Sequence, residues 1–206
     1  RPAACPWASN EASGFYGFYL NPLNKSNSTF ATCIVYSSTR LLVYKKFFKM
    51  KITFLVVGKT TDPRVAALTD EYVGRIGHYL PFNVEVIPAL KNTKALTADQ
   101  QKQREAELLL KAIKPDDYAV LLDEGGRELR SVEFAAYLDK LQAQGLRRVV
   151  FVVGGPYGFA PSVYARANGK LSLSRMTFSH QLIRVLFVEQ FYRAMTIQRG
   201  EPYHHE

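Results

Sequence analysis

From residue 50 onward the chain alternates between two hydrophobic patterns. Short apolar runs at residues 52–57, 84–87, 118–122 and 149–153 are each closed by glycine, proline or acidic residues, as strands are. The last of them, Val149-Val150-Phe151-Val152-Val153, has no polar position, the pattern of a strand buried on both faces. Between the runs, apolar residues recur at helical spacing. Asp62-Pro63 reads as an N-cap followed by proline at the first helical position, with Val65, Leu68, Tyr72 and Ile76 on one face. Residues 91–96 are polar and predict a loop. Thr97 with Gln100 predicts a capping box, opening a helix through Ala106, Leu109, Leu110 and Ile113 that Pro115 stops. Ser131 is expected to cap a helix carrying Phe134, Leu138 and Leu141, with Gly145 ending it. Residues 161–167 predict a short helix and residues 180–197 a long amphipathic one. On the long helix Leu182, Val185, Leu186, Phe191 and Ala194 can face a core, and Arg184, Glu189 and Arg193 lie away from it. Strands separated by helices predict one α/β domain with a mostly parallel sheet flanked by helices.

The first quarter has a different texture. Residues 1–49 are rich in Ser, Asn, Phe and Tyr, with no sustained period and no secretory pattern. The first methionine, Met50, leads directly into the first apolar run. The expectation is that residues 1–49 are an extension of upstream or foreign origin outside the native fold, and that residues 50–206 are the domain. The alternative is an organelle-targeting or RNA-binding arm.

Composition then narrows the classes. A hydrophobic fraction of 47% with 22% charged residues suits a soluble globular domain with a real core. The net charge is +9, and residues 1–49 hold six basic residues against one acid, leaving 21 against 17 in residues 50–206. A moderately basic domain is compatible with a polyanionic partner without demanding one. Both cysteines, Cys5 and Cys33, precede Met50, which leaves the domain without a thiol nucleophile, a disulfide framework or a cysteine zinc site. No apolar run approaches the about 20 residues that span a bilayer. A reducing cytoplasmic location and no membrane partner are the expectations.

Ligands of open parallel sheets bind at the carboxyl ends of the strands. Three such ends stand out: Leu122-Asp123-Glu124-Gly125-Gly126, Gly154-Gly155-Pro156-Tyr157-Gly158, and the run from Leu173 to Phe178. Their glycines either allow close approach to a ligand or simply make tight turns. None matches the dinucleotide or P-loop spacing. Polar function also concentrates at the end of the chain, in His180, Arg184, Glu189, Arg193, Tyr203, His204 and His205. Adjacent histidines rarely chelate one ion, so no metal site is expected.

Six segments in this order and spacing are recognisable: Leu-Leu-Asp123, Val-Val-Gly-Gly-Pro-Tyr-Gly158, Leu-Ser-Leu-Ser-Arg-Met-Thr-Phe-Ser-His180, Arg-Val-Leu186, Glu-Gln-Phe-Tyr-Arg193 and Pro-Tyr-His204. The chain from Met50 to its end resembles the family of bacterial 23S rRNA pseudouridine-N3 methyltransferases of the SPOUT superfamily. The resemblance implies a deep C-terminal trefoil knot, a homodimer and S-adenosylmethionine as cofactor. It implies cofactor contacts from Leu122, Gly154, Leu173, Ser174, Arg175, Met176, Thr177 and Phe178, with backbone contacts to adenine at Arg175 and Met176. It puts His180, Arg193, Tyr203 and His204 near the methyl group and the target base. His205 departs from the family, in which a longer basic residue follows Pro-Tyr-His.

The implied reaction is methylation of N3 of a pseudouridine in 23S rRNA within the assembled ribosome. His204 would serve as base or base-orienting group, Tyr203 as stacking or hydrogen-bonding partner, and Arg193 as anchor. Lys91, Lys94, Lys102 and Arg104 are candidate RNA contacts, or merely solvated. Two rivals stand beside this reading. A flavodoxin-like nucleotide hydrolase would use Val57-Gly58-Lys59-Thr60-Thr61 as a phosphate loop. A non-catalytic ribosome-binding protein would need no cofactor cradle.

Overall fold

The structure, a computed structural model, describes residues 18–19, 32–37, 40–45, 50–90 and 92–205, and divides into two units at residues 47 and 48. In the first unit β1 (Phe18–Tyr19), β2 (Thr32–Ser37) and β3 (Arg40–Lys45) pair antiparallel in the order β1-β2-β3. Ser37 sits opposite Arg40 and Thr32 opposite Lys45. Continuous runs such as Cys33-Ile34-Val35-Tyr36 do not alternate, which hid the strands from a periodicity argument. Their β-branched and aromatic residues nonetheless favour extended backbone.

The second unit is a five-stranded, all-parallel sheet. In chain order it comprises β4 (Lys51–Val57), α1 (Pro63–Gly77), β5 (Phe82–Ile87), α2 (Ala98–Ala112), β6 (Tyr118–Glu128), α3 (Ser131–Ala143), β7 (Arg148–Val153), α4 (Pro161–Arg166), β8 (Gly169–Ser172) and α5 (Leu182–Arg199). The strands lie in the order β5-β4-β7-β6-β8. Between β6 and β4 sits β7, a strand made after both. A flavodoxin-like sheet would instead run through its third and fourth strands in sequence, so the hydrolase expectation fails on topology.

Alternation along the central strands builds two cores. Ile52, Phe54, Val56, Val120, Phe151 and Val153 face α1, α3 and α5. Leu55, Val57, Ala119, Leu121, Val150 and Val152 face α2 and α4. Connections that move one way across the sheet use the first face and those that return use the second, which gives all four crossovers the same hand, as parallel sheets require. The first core is aromatic. Phe134, Phe151, Phe187 and Phe191 pack with ring centroids 5.0–6.4 Å apart.

The local chemistry that starts the helices is mostly as the residues predict. Asp62 accepts from the Arg64 amide at 2.9 Å, and Thr97 with Gln100 closes a reciprocal capping box. Four expectations need correction. The residue at the N-cap of α3 is Arg130, not Ser131, whose hydroxyl is instead turned to Gln190 on α5 at 3.0 Å. Leu68 is exposed, because α1 buries Thr69 and Ile76 and half-buries Tyr72 and Val73. Leu182 is exposed at the start of α5, whereas Arg184 is 2% exposed. Residues 93–95 within the expected loop form a single 3-10 turn entered through Asn92 at φ 56°.

Candidate active site

Two strand ends and the segment after a third enclose a cavity of about 610 Å³ at the carboxyl edge of the sheet. The first wall is the end of β6. The sequence ends this strand at Leu122, but it runs on to Glu128. Its pairing with β8 breaks between Leu122 and Arg127 and resumes at Arg127 opposite Leu171. Polar, glycine-rich residues read as a loop because the pairing there is irregular. Asp123 is pinned in the excursion: one carboxylate oxygen accepts from the Gly125 amide at 2.9 Å and the other from the Tyr164 hydroxyl of α4 at 2.6 Å. Burial, followed by that hydrogen bond to Asp123, pushes the Tyr164 phenol up to about 12. Gly126 has no alternative, since a Cβ there would lie 2.5 Å from the Leu171 carbonyl carbon.

The second wall is Gly154-Gly155-Pro156-Tyr157-Gly158 after β7. It is a tight turn in which the Gly158 amide donates to the Gly155 carbonyl at 3.2 Å and Gly158 adopts φ 77°. Gly154 and Gly155 are small for the sake of what lies beside them. A Cβ on Gly154 would meet the Phe159 ring at 3.1 Å, and one on Gly155 would meet the Glu105 carboxylate of α2 at 2.2 Å.

The third wall runs from Ser172 to Phe178. Ser172 donates to the Ser174 carbonyl at 2.8 Å, and the Ser174 hydroxyl accepts from the Met176 amide at 2.9 Å, which curls the segment back over the cavity. Leu122, Gly154, Leu173, Ser174, Met176, Thr177 and Phe178 all line the cavity, as does His180. Arg175 does not. Its side chain is 89% exposed and pairs with Glu128 at 3.2 Å.

Behind His180 lies a buried arginine whose role the sequence did not reveal. Arg184 donates from Nε to the His180 carbonyl at 3.0 Å, from Nη1 to the Gly58 carbonyl and the Thr60 hydroxyl, and from Nη2 to the Val57 carbonyl at 2.7 Å. Gln181 meets the Thr61 amide at 3.0 Å. The segment after β4 is therefore engaged with α5 through the Val57 and Gly58 carbonyls, the Thr60 hydroxyl and the Thr61 amide. One arginine in an apolar helix face was the available signal.

The remaining predicted residues form a separate cluster. Tyr203 donates to Glu189 at 3.1 Å and meets the Tyr72 hydroxyl at 3.3 Å, and its ring packs on Tyr192 at 4.8 Å. Arg193 donates from Nε to Glu189 at 3.1 Å and places its guanidinium 4.8 Å from the Tyr203 ring centroid. Burial first, then hydrogen bonding with Tyr72 and the charge of Glu189, raises the Tyr203 phenol well above its ordinary value. His204 follows in this tail, half-buried, and His205 is exposed. Arg193 is ten residues beyond Ile183, which lines the cavity, so about 15 Å of helix axis separates the two groups. Lys102, expected at an RNA-facing or solvated surface, lines the cavity instead. Arg104 is exposed, and Lys91 lies outside the described residues.

Among the described residues there is no group of three or more His, Cys, Asp or Glu that could hold a metal ion, and no helix long and apolar enough to cross a membrane. Residues 50–204 match the family model described as Predicted SPOUT methyltransferase. Proteins named ribosomal RNA large subunit methyltransferase H are similar over 157 residues, which is 76% of this chain and the whole of each relative. Identity is 54% for that of Bacteroides fragilis and for that of Porphyromonas gingivalis, and 55% for that of Phocaeicola vulgatus. A solved structure from Legionella pneumophila, a putative methyltransferase with bound S-adenosylmethionine, is 10% identical with a TM-score of 0.35, covering 90% of this chain and 84% of its own. At so low a score the assignment rests on sequence: with its parallel sheet, its strand-end cavity and a family match over three quarters of its length, the chain belongs to the SPOUT methyltransferase family.

Proposed function

We propose that this chain methylates N3 of a pseudouridine in 23S rRNA, with S-adenosylmethionine as methyl donor and the assembled ribosome as substrate. The observation that carries the reading is the cavity itself. Its walls are the segments around Leu122, Gly154 and residues 173–178, to which the family resemblance assigns the cofactor. A volume of about 610 Å³ suits a nucleoside with an amino-acid arm, and most small-molecule sites fall in that range. The relatives' name supports rRNA as the substrate class.

The donor supplies a methyl group that is already electrophilic, so the protein's work is alignment and proton handling. His180 stands at the cavity, where it can face the target base. In the tail, His204 takes or orients the imide proton, the acid–base role that histidine side chains most often fill. Tyr203 holds the base by stacking or hydrogen bonding, and Arg193 anchors the base or a phosphate. Arg193, against which the tail packs, and the cavity lie about 15 Å apart along α5 within one chain. That separation supports a homodimer in which one copy's tail serves its partner's cavity. The strand order, with β7 inserted between two earlier strands, supports the deep C-terminal trefoil knot. Residues 50–206 carry the activity, since the relatives are matched over their full length without residues 1–49, which we place outside the native fold. The location is the cytoplasm.

The test is methyl transfer from labelled S-adenosylmethionine to ribosomes and to free 23S rRNA from a strain lacking this modification. Label is expected at N3 of a pseudouridine, in ribosomes far more than in free rRNA. No incorporation, together with no calorimetric binding of the cofactor, would leave the non-catalytic ribosome-binding protein.

A further inference from the structure

We propose that Lys102 binds the α-carboxylate at the amino-acid end of the cofactor, and so selects a ligand that carries this arm. The inference rests on the reading that the cavity takes S-adenosylmethionine. Its basis is the distribution of charge around the cavity. On the β6 side the wall is anionic, with Asp123 and Glu124. Asp123 is held in place by Tyr164 and the Gly125 amide, and Glu124 lies 3.4 Å from the Thr177 hydroxyl. On the α2 side, Lys102 is the single lysine or arginine among the lining residues. The cofactor's cationic groups and its carboxylate therefore meet walls of opposite sign, which orients the arm with the carboxylate toward α2.

The helix that carries Lys102 is seated on the cavity loop by a buried contact. Glu105, one turn further on, is 4% exposed and packs its carboxylate against Gly155 so closely that no side chain fits there. One of its oxygens accepts from Gln101 at 2.9 Å, and the other is buried with no hydrogen-bond partner. A helix that keeps so costly a contact at the Gly154-Gly155 turn holds Lys102 in register with the cavity. Lys102 itself is lightly engaged. Its ammonium meets Asp99 at 2.7 Å, but that carboxylate is 89% exposed, and a pair of this kind yields readily to a better-placed anion.

The experiment compares two neutral-sulfur ligands by calorimetry. S-adenosylhomocysteine has the amino-acid arm, and 5′-methylthioadenosine has the same nucleoside and sulfur without it. In K102A, binding of S-adenosylhomocysteine is expected to weaken at least tenfold while 5′-methylthioadenosine stays within twofold of the native protein. K102R is expected to recover most of the loss, and K102E to deepen it. An unchanged affinity for S-adenosylhomocysteine in K102A would overturn the inference, and so would an equal loss for both ligands, which would make Lys102 a packing residue of the wall. Failure of the native protein to bind S-adenosylhomocysteine at all would overturn the cofactor reading, and this inference with it.

Discussion

Among the described residues, the buried charged side chains Glu105, Asp117 and Arg184 are each tied to a particular turn or strand end. Asp117 accepts from Nε of Arg148 at 2.8 Å and from the Lys114 amide at 2.7 Å, fastening the turn before β6 to the start of β7. Burial alone would raise this carboxyl, but hydrogen bonds from Arg148 and from the Lys114 amide outweigh it and hold the group below the usual carboxylate range. A group depressed on folding stabilises fully above its unfolded value of about 3.9, and the contribution fades as pH falls through the lower folded value. D117N is therefore expected to cost about 1.5–3 kcal/mol at pH 7, typical of hydrogen bonds to charged groups. The deficit relative to the native protein should shrink as pH drops below about 4. Urea unfolding at pH 7, 5, 4 and 3 reads it, and a constant deficit across that series would mean that the carboxylate's charge is not what stabilises the turn. At this scale the sequence is only half informative. Asp62 and Thr97 were readable as caps because a cap depends on neighbours within three residues. Arg148 and Asp117 are 31 positions apart, and nothing local announces their pairing.

At the scale of elements, the parts that spacing revealed are those whose burial is regular. The uninterrupted apolar run of β7 predicted a strand covered on both faces, and α2 and α4 on one side with α1, α3 and α5 on the other provide the cover. What escaped was irregular: the continuation of β6 through Asp123-Glu124-Gly125-Gly126, and β8, an edge strand of four residues. Helix α5 shows a third kind of failure. Its apolar stripe was legible, but the arginine within it was assigned outward, because arginine is rarely buried without a carboxylate partner. Arg184 instead satisfies three carbonyls and a hydroxyl, joining β4 to the entrance of α5 beside His180. Replacing it with Met keeps the volume and removes every donor. R184M is expected to destabilise by about 2–4 kcal/mol, since several buried acceptors lose their partners together. R184K should recover only part, because one ammonium cannot span acceptors on two elements. Chemical denaturation of the three proteins decides it: a native-like R184M would show that the apolar stripe of α5 suffices to dock the helix.

For the whole molecule, the strand-end rule located the cavity from sequence alone, and the motifs named most of its lining. The distance between cavity and tail was not appreciated, although the length of α5 implies it once the helix is accepted. The proposed homodimer turns that distance into an experiment. A G154W variant, whose indole would press into the Phe159 ring and the cavity, and an H204A variant are each expected to be inactive in methyl transfer. Mixed after unfolding and refolded together, they should regain up to about a quarter of native activity, since random pairing makes half of the dimers mixed and each mixed dimer has one intact pair of sites. No recovery, with mixed dimers present by mass spectrometry, would require tail and cavity to act within one chain.

The position of β7 also governs how this domain can be made. Until residues 148–153 exist, β4 with β5 on one side and β6 on the other have no strand in common. A growing chain that has emerged as far as α3 holds two fragments with a strand-wide gap between them. The sheet closes late, when β7 enters between neighbours made as much as 97 residues before it. Such long-range pairing is slow to form. A chain cut short before Arg148 is thus not a smaller version of this domain, and synthesis must pass residue 153 before the sheet has its central strand to protect.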